Sequence, residues 1–140
     1  MEAITNTFVK VAPDCPVTAA VVPVAKGAAP SVAVLQHELL TSRPYALTLE
    51  DLIFEVHVRR AGLSSAEARV QAAAIRDRLF ARPQACMRAS PLPKRYGWGV
   101  HHDGRGRLAL FAMESQEYQR FAEGKVEGVK VVAALRGRRE

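Results

Sequence analysis

The chain has 140 residues, of which 49% are hydrophobic and 24% are charged. This composition is typical of one folded domain with a buried core and argues against a disordered chain. No apolar run approaches the roughly 20 residues that a membrane-spanning helix needs, and the N-terminus lacks the pattern of a secretory signal. We therefore expect a single soluble, cytoplasmic domain over residues 1–140 without membrane contact, and a frayed basic tail at residues 136–140.

The net charge of +6 is unevenly distributed along the chain. Residues 1–60 hold 5 Lys and Arg against 6 Asp and Glu, whereas residues 61–140 hold 15 against 8. Such asymmetry suits an anionic partner, but an arginine-rich solvated surface has the same appearance. Both interpretations stay open at this point.

The two cysteines, Cys15 and Cys86, exclude a disulfide framework and a four-cysteine zinc site. A long-range bridge between them and two free thiols are the remaining alternatives. We favour free thiols, because neither cysteine has a partner nearby in the sequence.

The first third of the chain predicts a strand, an extended segment and a helix. β-branched residues alternate over residues 4–11 and indicate a strand. Prolines then interrupt residues 13–30, which we expect to lie extended over the core. Ser31 is a suitable N-cap for a helix over residues 32–41.

Residues 49–61 fit two kinds of secondary structure. Apolar residues alternate over residues 52–58 as in a strand, yet they also recur at helical spacing. Thr48 and Asp51 form a capping-box pattern, and Gly62 suits the left-handed residue that follows a helix. We favour a helix on these grounds.

Ser64 and Glu67 form a second capping box, which begins a long helix that we expect to end near Phe80. Its apolar residues are expected to be Ala66, Val70, Ala73, Ala74 and Leu79. Together with the preceding helix and Gly62, it also fits a DNA-reading helix-turn-helix, although antiparallel helix packing is the interpretation we favour.

The clearest structural signal is a β-hairpin over residues 96–113. β-prone residues alternate from Tyr96 to Val100, an Asp103-Gly104 turn follows, and residues 108–113 form an apolar run. An Asp-Gly turn between two β-prone runs is a strong hairpin signal.

After the hairpin, Ser115 is expected to cap a short helix that ends at Gly124, and residues 126–135 suggest a strand and a helical turn. The strands are too few and too segregated for repeated βαβ units. The sequence therefore predicts an α+β fold: a small antiparallel sheet, made of the N-terminal strand and hairpin 96–113, covered by three to four helices.

Basic and aromatic residues concentrate around the hairpin, since 6 Lys and Arg and one acid lie between Arg82 and Arg107. The expected ligand-binding residues are Arg88, Lys94, Arg95, Tyr96, Trp98, Arg105 and Arg107. Basic groups hold phosphates while exposed aromatic rings stack on bases, so this surface suits a nucleotide or a nucleic acid. Tyr96 and Trp98 at a spacing of two also suit a buried core.

A second group of candidates suits acid–base chemistry. The catalytic candidates are His57, Glu55, Arg60, His101 and His102. His57 would act as the general base, together with one of the two hairpin histidines, which point to opposite faces because they are adjacent on a strand. The sequence lacks a nucleophile motif and a glycine-rich phosphate loop, and it predicts neither a metal site nor a cofactor.

Several blocks of the sequence resemble a family of small bacterial proteins of unknown function. They are NTFVKVAPDCPV, AVLQHELL, LTLEDLIFEVHVRR, LPKRYGWGVHHD and LFAMESQEYQRF. The LPKRYGWG segment is the most specific of them, and the resemblance extends over almost the whole chain. It implies a complete natural protein but brings no activity or site residue with it.

Three functional hypotheses follow. The first is a non-enzymatic binding protein for an anionic ligand, a nucleotide or a nucleic acid, at residues 88–107. The second is a small-molecule enzyme that uses His57 with His101 or His102. The third is a structural or oligomerising protein, for which a homodimer is one arrangement.

Overall fold

A four-stranded sheet forms the scaffold of the computed structural model, which describes residues 2–27 and 30–137. The strands are β1 (Thr7–Lys10), β2 (Trp98–His102), β3 (Leu108–Ala112) and β4 (Lys130–Ala133). They lie in the order β3-β2-β1-β4, and their pairing is antiparallel except between β1 and β4, which run parallel. The tail predicted at residues 136–140 falls mostly outside the described residues.

The predicted α+β class is confirmed, and the hairpin forms with Trp98 opposite Ala112 and His102 opposite Leu108. The sheet contains one strand more than the N-terminal strand and the hairpin, and this strand, β4, makes it mixed. The helical turn expected near the end of residues 126–135 is absent, since residues 134–136 are not helical. The reason is that the Ala134 and Leu135 N–H groups bond to other segments of the chain.

Five α-helices and one 3-10 turn occur in the described ranges. They are α1 (Val32–Ser42), α2 (Leu49–Arg60), α3 (Ser65–Phe80), the 3-10 turn (Met87–Ala89), α4 (Pro91–Arg95) and α5 (Gln116–Ala122). Four helices begin where the sequence predicts, because the side chains of Ser31, Thr48, Ser64 and Ser115 accept hydrogen bonds from N–H groups of the first turn. The helical interpretation of residues 49–61 is therefore confirmed.

Helix α4 forms although it contains two prolines, Pro91 and Pro93. The Ser90 hydroxyl oxygen accepts from the Leu92 N–H, and Pro91 lies at the first helical position, where its missing N–H costs nothing. The same hydroxyl donates to the Gln36 side chain over 2.6 Å, which fixes the start of α4 against α1.

The sheet packs against helices on both of its faces. Val9, Val100 and Leu108 face the main core, where they meet leucines of α1 and α2. On the opposite face, the ring of Phe8 stacks on that of Phe121 in α5 with a centroid distance of 4.7 Å. Successive strand residues thus alternate between two buried environments.

The apolar face of α3 differs from the predicted one. Of the five residues expected to face the core, four are exposed: Ala66, Val70, Ala73 and Ala74. Ala68 and Ile75 are buried instead and pack against Phe54 and Val58 of α2, with Leu79 partly buried beside them. Alanine offers little apolar surface, and so the larger Ile75 decides which face is buried.

Candidate ligand-binding site

A cavity of about 210 Å³ opens on the core side of the sheet, beyond the part that α1 and α2 cover. Its floor includes His102, Thr7 and Lys130, which are cross-strand neighbours on β2, β1 and β4. Neighbouring strands lie about 4.8 Å apart, so this row is about 10 Å long between the outer Cα atoms. Val9 and Val132 form a parallel apolar row on the same face.

One wall of the cavity is the segment that precedes α4, with Cys86, Met87 and Arg88. Two hydrogen bonds of 2.8 Å fix this wall to the end of β4: Arg88 Nε–H donates to the Ala133 carbonyl, and the Leu135 N–H donates to the Arg88 carbonyl. Of the five N–H donors of a guanidinium, one is thereby used and four stay available to a ligand.

His102 is the polar group at the buried end of the floor. Its side chain is 1% exposed, and neither ring nitrogen has a hydrogen-bond partner in the described part of the chain. Burial lowers the pKa of His102 to about 4, with a further lowering by His101 and an opposing contribution from Asp103. The imidazole is therefore neutral at pH 7, with one donor and one acceptor nitrogen.

The charged side chains at the cavity are both basic. Within the described residues, its lining contains Arg88 and Lys130 but no Asp or Glu. Neither cation forms an ion pair in the described ranges, and both are exposed. The rim of the cavity is therefore positively charged, although solvent screening limits the energy of an ion pair with either exposed cation to about 1 kcal/mol or less.

The predicted basic and aromatic residues are distributed over several elements. Arg88 lines the cavity, whereas Lys94 and Arg95 lie on α4. Arg105 and Arg107 belong to the hairpin turn, where their backbone N–H groups donate hydrogen bonds of 2.9 Å to Asp103 Oδ1. This turn lies at the far end of β2 from Trp98, about 13 Å away at the usual rise per strand residue.

Tyr96 and Trp98 are half-buried and hold the proline-rich segment in place. Trp98 Nε1–H donates to the Val21 carbonyl over 2.9 Å, and the Tyr96 carbonyl accepts from the Val21 N–H over 2.8 Å. The indole also packs against His37, with ring centroids 4.8 Å apart. These contacts give the Trp98 side chain a packing role, whereas Tyr96 holds the segment through its backbone carbonyl.

The catalytic candidates occupy separate places. His57, like Arg60, is exposed on α2, where it lines a different depression with residues of α3; Glu55 is half-buried. His101 lies on the α5 side of the sheet, where Nδ1 is 2.8 Å from the Tyr45 hydroxyl. His102 lies in the cavity on the other side.

Seven cavity residues were not anticipated as site residues: Ile4, Thr7, Val9, Cys86, Met87, Lys130 and Val132. They come from three distant segments, and no local motif marks them. Both cysteines are free, so no disulfide joins Cys15 to Cys86. In the described part of the chain, no group of three or more His, Cys, Asp or Glu side chains is placed to hold a metal ion.

Fold and cavity together define an α+β domain with a basic cavity beside the parallel edge of its sheet. The chain belongs to a family described as a family of unknown function (DUF6157), whose profile it matches over residues 2–140. The resemblance predicted from the sequence blocks is thus confirmed. No curated protein and no solved structure matches the chain. Among the described residues, no helix is both long and apolar enough to cross a membrane.

Proposed function

We propose that this protein is a non-enzymatic binding protein for a small organic anion, which occupies the cavity between the sheet and the segment before α4. One observation carries the proposal: a buried histidine that has no hydrogen-bond partner among the described residues lines a cavity whose charged side chains in that part of the chain, Arg88 and Lys130, are both basic. Buried polar groups are nearly always hydrogen-bonded, and a ligand is a means to satisfy this one.

The lining indicates the body of the ligand. Ile4, Val9, Met87 and Val132 present apolar surface, so a hydrocarbon body is favoured between the anionic group and His102. The volume of about 210 Å³ is below the roughly 300–1,000 Å³ of pockets for drug-sized ligands. A carboxylate of a few carbon atoms therefore suits the site better than a complete nucleotide.

The test is calorimetric titration at low salt with pentanoate and benzoate, and with the neutral amides pentanamide and benzamide. We expect the acids to bind at least tenfold more tightly than the amides. Arg88→Gln should weaken acid binding about two- to fivefold, because an ion pair with an exposed guanidinium contributes about 1 kcal/mol or less.

Arg95→Gln is the matched control, since it removes the same charge from the exposed end of α4. Equal effects of the two substitutions, or no binding of either acid, would overturn the proposal. Titration with AMP and with a single-stranded oligonucleotide tests the nucleic-acid hypothesis for residues 88–107. Tighter oligonucleotide binding that falls steeply with salt would favour that hypothesis instead.

A cytoplasmic location is part of the proposal. It is supported by two free thiols, Cys15 and Cys86, because oxidising compartments favour disulfides. Cell fractionation with immunodetection tests it, and recovery outside the cytoplasmic fraction would contradict it.

A further inference from the structure

We infer that His102 is a specificity-determining residue, which selects small organic anions that carry a hydroxyl group at the end remote from the anionic group. The inference rests on the proposed function and names the ligand class of the same cavity. Its basis is the position of a buried imidazole, which has no hydrogen-bond partner in the part of the chain that the structure describes, at one end of a row of residues whose other end is cationic.

The row of His102, Thr7 and Lys130 determines the position of each end of a bound ligand. Lys130 is exposed at the first residue of β4, and Arg88, which lines the same cavity, is bonded to Ala133 at the last residue of that strand. His102 is at the β2 end and 1% exposed. Two strand spacings, about 10 Å, separate the two backbones. An anionic group at the rim thus leaves the opposite end of a short ligand near the imidazole.

Thr7 lies between His102 and Lys130 and does not donate a hydrogen bond to the His102 ring. Its hydroxyl donates to the Thr5 carbonyl over 2.9 Å, so it keeps only acceptor capacity toward the cavity. Cys86 and Met87 on the wall offer weakly hydrogen-bonding sulfur. His102 is therefore the principal uncommitted polar group at this end of the lining.

A neutral imidazole and a hydroxyl group match each other, because each has one donor and at least one acceptor. A hydrocarbon end in the same place leaves the imidazole unpaired, and a site with an unpaired buried polar group rejects the analogue that lacks the hydroxyl. A second anionic end is less suitable, since it would use only the single donor of the ring and would lose its own hydration.

The experiment compares two ligand pairs by calorimetry: 5-hydroxypentanoate with pentanoate, and 4-hydroxybenzoate with benzoate. We expect the wild-type protein to bind at least one hydroxylated acid about tenfold more tightly than its parent. His102→Leu should abolish this preference, so that the hydroxylated acid and its parent bind with equal affinity. His102→Gln, which retains a donor and an acceptor, should restore part of the preference.

The outcomes separate the inference from the proposed function. If the parent and hydroxylated acids bind equally to the wild-type protein, and Arg88→Gln weakens both, the cavity binds anions but the inference is wrong. A preference that persists in His102→Leu overturns it as well. If none of the four acids binds, the proposed function fails and the inference fails with it.

Discussion

The Arg88 Nε–H donates a hydrogen bond of 2.8 Å to the carbonyl oxygen of Ala133, at the end of the edge strand β4. In an edge strand that pairs in parallel, every second residue points its N–H and C=O groups away from the neighbouring strand. The Ala134 N–H donates to Lys10 of β1, so the backbone groups of Ala133, the preceding residue, point outward. The bond therefore covers part of an open edge and orients the guanidinium at the cavity. One side chain thus covers the sheet edge and also lines the cavity.

The first prediction uses Cys86 as a reporter on the charge of the cavity. Iodoacetate is an anion and iodoacetamide is its neutral counterpart, so the ratio of their alkylation rates reports the local potential. We expect this ratio to be about two- to fivefold higher at Cys86, which shares the cavity with Arg88 and Lys130, than at Cys15. Mass spectrometry of each cysteine peptide measures both rates in one sample.

Two controls sharpen this measurement. Arg88→Gln should reduce the ratio at Cys86 toward that at Cys15, and Arg95→Gln should leave it unchanged. Added salt should reduce it too, because the cations are exposed and screened. A ratio that is equal at the two thiols in the wild-type protein would contradict a basic cavity.

The second prediction concerns the stability of a His102→Leu variant. An unsatisfied buried polar group costs roughly 1–3 kcal/mol, and leucine has a similar volume without that cost. We expect the variant to be more stable by about 1 kcal/mol, with a Tm raised by about 4 °C. Calorimetric or fluorescence melting measures the change, and a lower Tm would mean that the imidazole has a stabilising partner.

The third prediction is a loss of stability in acid that originates in His102. Its pKa is lowered from 6.5 to about 4 in the folded protein, first by burial and then by His101. Between these two values the unfolded chain binds more protons than the folded chain, so stability decreases as the pH falls from 6.5 through 4. The decrease from this residue is at most about 3 kcal/mol.

Urea unfolding at a series of pH values tests the acid effect. His102→Leu should flatten the dependence between pH 6.5 and 4 without removing it, because burial also lowers the pKa values of His37 and His101. An identical slope in the variant and the wild-type protein would assign the acid sensitivity to other groups.

Much of the fold was predictable because its signals are local. The side chains of Thr48 and Ser64 accept hydrogen bonds from N–H groups three residues ahead, and the turn over residues 103–106 joins adjacent strands. The parallel pairing of β4 with β1 was not predictable in this way. It joins Thr7 to Lys130 across almost the whole chain, and no pattern within either segment specifies that pairing.

The candidate site was predictable only in part for the same reason. Arg88 and His102 were among the candidates, because basic residues and histidines are conspicuous in a sequence. Their placement depends on strand register, in which a shift of one residue moves His102 to the other face of the sheet and exchanges it with His101. The charge pattern of the sequence therefore predicted that Arg88 and Arg105 share a surface, whereas in the structure Arg88 lines a cavity together with Lys130.

The last prediction concerns Gly99, which lies on β2 next to the rings of Phe8 and Tyr118. A Cβ atom added there would clash with the Phe8 ring and lie 2.7 Å from the Tyr118 ring, and both rings are buried. Gly99→Ala should therefore cost about 1–3 kcal/mol of the free energy of unfolding, through overpacking. Urea unfolding followed by the fluorescence of Trp98, the single tryptophan, measures it.

Gly104→Ala is the matched control for this substitution. Its added Cβ atom would lie 3.5 Å from Asn6 Oδ1, an ordinary contact, and its backbone is not left-handed. The expected change is within about 0.5 kcal/mol. The glycine of the strand is thus required for packing, whereas the second residue of the Asp103-Gly104 turn is replaceable. Equal stabilities of the two variants would show that the Phe8 ring moves aside at no cost, and would contradict the tight packing of β2 against α5.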